Sequence, residues 1–207
     1  MNHLKILLKM AGGHALDAED DGPARRTQVV ILAAVAAALL CAVFGFAAGG
    51  THLSYSVSNL YKLPMVVLLA SVGSVPAALV AWNLLGCKQR PTDLVLGMAA
   101  GTLSGALVLA VLSPLVSLYY HTSSFMGPTM ALLTAAIGIK VGMMVMVRTV
   151  VSRAPADDNF VRRWTPVGVM MVVHLLTILQ LISVSSIMVE DTWLDRGIEG
   201  VAQSDSW

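Results

Sequence analysis

The chain has 207 residues, of which 57% are hydrophobic and 12% charged, with a net charge of +1. Soluble domains carry about 25% charged residues, so this chain is too poor in charge to face water over its whole surface. The composition excludes a disordered chain, a nucleic-acid binder with a broad basic field, and a small disulfide scaffold, since only two cysteines are present.

Residues 1–10 place Leu4, Leu7 and Leu8 on one helical face beside Lys5 and Lys9. That pattern suits either a frayed start or a short helix on the inner leaflet. Residues 11–24 hold Gly12-Gly13, an acidic cluster (Asp17, Glu19, Asp20, Asp21) and Gly22-Pro23, the composition of a tether.

Five apolar stretches follow, at 28–49, 63–86, 94–119, 128–147 and 166–189, and only the fourth contains a charge, Lys140. Each is long enough to cross a hydrocarbon layer of ~30 Å at about 1.5 Å per residue. The expected fold class is therefore all-α, a polytopic membrane bundle of five transmembrane helices. Residues 1–27 form a cytoplasmic segment, 28–189 the transmembrane domain and 190–207 an acidic external tail. Arg25-Arg26, the Ala-rich run and Phe46-Ala47-Ala48 also have the look of a signal peptide. The run is longer than the 7–15 residues of a typical apolar region, so an uncleaved first helix is expected.

Helix punctuation sets the expected ends. Thr165-Pro166 reads as an N-cap followed by proline at the first helical position, and Gly127-Pro128 opens the fourth span in the same way. Thr92 is the expected N-cap of the third span, with Asp93 in its first turn. Gly86 should end the second span, with Pro91 blocking its continuation. Pro76 and Pro114 should bend the second and third spans. The carbonyl freed by Pro76 is expected to find Ser71, Ser74 or a neighbouring helix.

Basic residues give the orientation, because Lys and Arg stay on the cytoplasmic side. With the N-terminus inside, the inner segments hold Lys5, Lys9, Arg25, Arg26, Lys88, Arg90, Arg148, Arg153, Arg162 and Arg163, and the outer ones only Lys62 and Arg196. Five spans then put the C-terminus outside. Arg162-Arg163-Trp164 sits in the largest inner loop as a headgroup anchor.

Gly97, Gly101 and Gly105 recur at four-residue spacing in the third span, and Gly138 and Gly142 repeat it in the fourth. Such stripes let helices approach closely. They serve contacts within one chain or oligomerisation, and the first takes precedence because five helices already need internal contacts.

Lys140 and His174 each lie eight residues from the inner end of their spans, the fourth and fifth. They are expected at similar depth, and with Thr177, Gln180 and Asn83 they could form a polar site. That site reads either as an ion or proton pathway or as a lone lysine beside a core histidine. The lack of other membrane acids favours the second reading.

Met143, Met144, Met146, Met170 and Met171 could offer thioethers to a soft metal, but methionine is also an adaptable packing residue. Cys41 and Cys87 lie at different depths. No metal or cofactor is expected, and the motifs of hydrolytic and nucleotide-binding sites do not occur.

Lys62-Leu63-Pro64, the apolar run through Pro76 and Asn83-Leu84-Leu85-Gly86 resemble a segment of small uncharacterised multi-pass bacterial membrane proteins. The resemblance covers about 25 residues and implies an inner-membrane location with no known activity.

The sequence thus leads to a non-enzymatic subunit, scaffold or anchor whose partners are the lipid bilayer and either another membrane protein or further copies of itself, with no nucleic acid. The alternative is a small transporter or channel component with its polar site near Lys140 and His174.

Overall fold

The computed structural model describes residues 3–14, 22–51, 53–88, 90–123, 125–155 and 159–185. Among these residues there are six helices and no strands: α1 (His3–Ala11), α2 (Pro23–Ala48), α3 (Leu53–Leu84), α4 (Pro91–Thr122), α5 (Met126–Val151) and α6 (Phe160–Ser185). α2 to α6 are long and apolar enough to cross a membrane. The chain is an integral membrane protein built as a helical bundle. The acidic cluster and the tail 190–207 lie outside the described residues.

Each helix from α2 to α6 begins before the expected span. α3 begins at Leu53, ten residues before the apolar run. The serines and Asn59 of this stretch read as loop, yet Ser56 and Asn59 are buried. Gly45 of α2 and Gly49, which caps that helix, make this burial feasible. A Cβ on Gly45 would collide with the Asn59 backbone, and one on Gly49 with Ser56. At 32 residues, α3 measures about 48 Å, so one end runs past a ~30 Å hydrocarbon layer.

α4 starts at Pro91, with Arg90 as its N-cap, so Thr92 is not the cap and sits in the first turn. α6 starts at Phe160 and passes through Pro166, so Thr165-Pro166 does not open that helix. A proline inside a helix leaves the carbonyl four residues earlier without its donor. Here that carbonyl belongs to Arg162, and the Cys87 thiol donates to it at 3.1 Å. Of the partners expected for the carbonyl freed by Pro76, the two serines are engaged elsewhere. The Ser71 hydroxyl donates to the Val67 carbonyl and the Ser74 hydroxyl to that of Ser71, so neither serves Val72. Gly86 does close α3. It has φ +59°, its N–H donates to Asn83 and that of Cys87 to Trp82, the paired bonds of a Schellman end.

α4 is the centre of the bundle. It packs along α5 on one side and α2 on the other, with α1 on its flank, while α6 leans on α3. α1 buries Ile6 and Met10 and leaves Leu4 and Leu8 exposed. Its last carbonyl, at Ala11, lies 2.9 Å from the Ser104 hydroxyl. Ser104 is about 20 Å along α4 from Pro91, so α1 docks on the side of the bundle.

Candidate functional site: the α5–α6 groove

α5 has two faces. Ala131, Thr134, Gly138, Gly142, Met146 and Val150 are buried, and this face meets the glycine stripe of α4. A Cβ on Gly101 would lie 2.6 Å from the Gly142 carbonyl oxygen, and one on Gly105 would lie 2.9 Å from that of Gly138. One on Gly97 would strike Val150. Gly101, Gly105, Gly138 and Gly142 therefore meet one another inside a single chain, and Gly97 meets Val150. In lipid, where no hydrophobic force joins helices, such backbone approach supplies the packing.

The opposite face of α5 carries Leu133, Ile137, Lys140, Met144 and Arg148 at helical spacing, all exposed. α6 lies across from it but is held by α3, touching α5 only lightly. An open groove of about 720 Å³ results, lined by Ala136, Ile139, Lys140, Met143, Met144 and Val147 together with Arg148, Met171 and Leu175. Lys140 makes no hydrogen bond or ion pair among the described residues. A lysine at membrane depth costs about 2.5–3.5 kcal/mol even on insertion scales.

His174 does not share this groove. It faces a smaller cavity of about 60 Å³ where α2, α3, α4, α5 and α6 converge, lined among others by Cys41, Thr102 and Gly142. Its ring engages the Ala70 backbone, and its buried Nδ1 has no hydrogen-bond partner among the described residues. Ile139, Met143 and Met171 line both spaces and so stand between them. The expected polar cluster is not assembled. Thr177 bonds back to the Val173 carbonyl at 2.8 Å, while Gln180 and Asn83 are exposed, the latter at the end of α3. Spacing from a span's end speaks only to depth, and depth alone does not say which way a side chain turns around its helix.

One constellation was missed. Arg26 Nη1 donates to Thr92 Oγ1 at 2.7 Å and to Asp93 Oδ1 at 3.1 Å, and Arg153 Nη1 donates to the same carboxylate oxygen at 3.4 Å. Arg26 and Asp93 are both buried. This network ties the starts of α2 and α4 to the end of α5. The sequence did hold a signal: Asp93 is the only acidic residue between Asp21 and Asp157.

No protein-family model matches the chain, and no curated protein or solved structure is similar to it.

Proposed function

We propose that this protein is a non-enzymatic subunit, scaffold or anchor of a larger membrane assembly, and that the α5–α6 groove receives its partner. The observation that supports this most is the groove itself, with Lys140 exposed among apolar residues and Arg148 at the end of the same face. α6 leaves most of its surface uncovered, with Val172, Leu176 and Leu179 more than half exposed. A bundle that has turned its small-residue faces inward and left a charged one outward is incomplete as a single chain. The ten-to-two distribution of basic residues supports an N-terminus in the cytoplasm and a C-terminus outside. The resemblance around Lys62-Leu63-Pro64 favours a bacterial cytoplasmic membrane.

A conducting role has less support. It would draw on the central cavity and His174, but a space of about 60 Å³ holds no more than a few waters. Extraction in mild detergent and mass measurement of the intact particle tests the subunit reading. A mass above that of one chain with bound lipid is expected; a monomer under every mild condition overturns it.

A further inference from the structure

We infer that the occupant of the α5–α6 groove is a transmembrane helix of a different protein, bearing an Asp or Glu at the depth of Lys140. This rests on the subunit reading and adds the partner's chemistry. Three occupants fit an apolar groove with one cation in its middle: a lipid, a second copy of this chain, and a foreign helix. Charge decides among them.

A phospholipid carries its anionic group at the bilayer surface, level with Arg148, and offers only hydrocarbon at greater depth. Lys140 lies eight residues further in, about 12 Å at helical rise, and its four-carbon stem spans only part of that distance. A second copy fares no better. α2, α3, α5 and α6 contain no Asp or Glu, and α4 contains only Asp93 in its first turn; the other acidic residues fall at 17–21, 157–158 and 190–205, outside the five apolar stretches of the sequence. Asp93 is already held by Arg26 and Arg153. Self-association through the groove would set Lys140 against neutral side chains or another Lys140. Intramembrane charges pair with one another or line wet cavities, and a carboxylate from a different chain is the remaining match. The walls suit a helix, because Met143, Met144 and Met171 are adaptable packing residues and Ala136 allows close approach.

The test uses the full chain in phosphatidylcholine vesicles. The probe is a dye-labelled Leu/Ala transmembrane peptide of about 22 residues, with one Glu placed level with Lys140. Control peptides carry Gln at that place, or Glu two turns nearer the other end. Energy transfer from a donor on the protein reports binding. The Glu peptide should bind about tenfold more tightly than either control. Lys140→Met should remove that advantage and Lys140→Arg should retain it. Lys140 is exposed, so both variants should fold, as helix content and melting temperature would show. Equal binding of the Glu and Gln peptides, or an advantage that survives Lys140→Met, overturns the inference. So does Lys140-dependent capture of phosphatidylglycerol, which would make the occupant a lipid, or Lys140-dependent self-association, which would make it a second copy. Whether any partner exists is answered separately by the intact-particle mass, so the subunit reading can stand when this fails.

Discussion

Asp93 is the carboxylate on which the helix ends converge, and its burial sets its value. A buried ion pair gains little over an apolar substitute, but removing one member leaves the other charged and unpaired, at about 3–5 kcal/mol. Asp93→Asn keeps shape and deletes the charge that Arg26 and Arg153 share. We expect a large fall in the melting temperature in detergent, greater than for Arg153→Gln, whose contact is longer at 3.4 Å against 3.1 Å for Arg26. Equal and small losses for both variants would show that the network does not bind α2, α4 and α5 together. The same scale explains why Lys140 was found by reading the sequence and this network was not. A charge inside an apolar run is conspicuous by its position. An ion pair formed across 67 residues depends on which helix ends meet, and the pattern of a single chain does not contain that information.

At the scale of the helix, glycine decides what is inside. Gly101 of α4 meets the Gly142 backbone of α5, whereas Gly73 of α3 has nothing within 4 Å of its missing Cβ. Gly101→Leu should therefore lower thermal stability by about 1–3 kcal/mol, the range for overpacking, or prevent assembly of the bundle. Gly73→Leu should be neutral or mildly stabilising, because leucine is the better helix former by up to about 1 kcal/mol. Comparable melting temperatures for the two variants would mean that α4 and α5 do not pack as described. The four-residue glycine spacing was legible because it is local and periodic. The start of α3 was not legible, because Ser54, Ser56 and Asn59 have the composition of a loop. They become helix through Gly45 of α2 and its cap Gly49, a tertiary contact that overrides local preference. Pro166 misled for a related reason. A proline reads as a helix start until a neighbour such as Cys87 takes up the carbonyl it frees.

For the whole molecule, charge and helix number together make a claim about sidedness. The Arg26–Asp93–Arg153 network and the Cys87–Arg162 contact gather the start of α2, the α3–α4 turn, the end of α5 and the start of α6 at one end. Arg25, Lys88, Arg90, Arg148 and Arg163 belong to these same segments. At the other end, Lys62 of α3 is the one basic residue among the described segments, apart from histidine. A bundle with all these arginines at one end meets the retention of Lys and Arg in the cytoplasm in only one orientation. If all five helices cross, the proposed cytoplasmic N-terminus puts the C-terminus on the far side. A phosphatase that works only outside the cytoplasm should be active when fused after Trp207 and inactive when inserted after Asp157, in the α5–α6 loop. A reporter confined to the cytoplasm should give the opposite pair. Cytoplasmic activity both after Trp207 and in that loop would mean that α6 does not cross. α6 is the least buried of the five and rests mainly on α3. The reverse pair at both sites would keep five spans but invert the molecule, and would move Lys140 from the cytoplasmic half of the bilayer to the outer half.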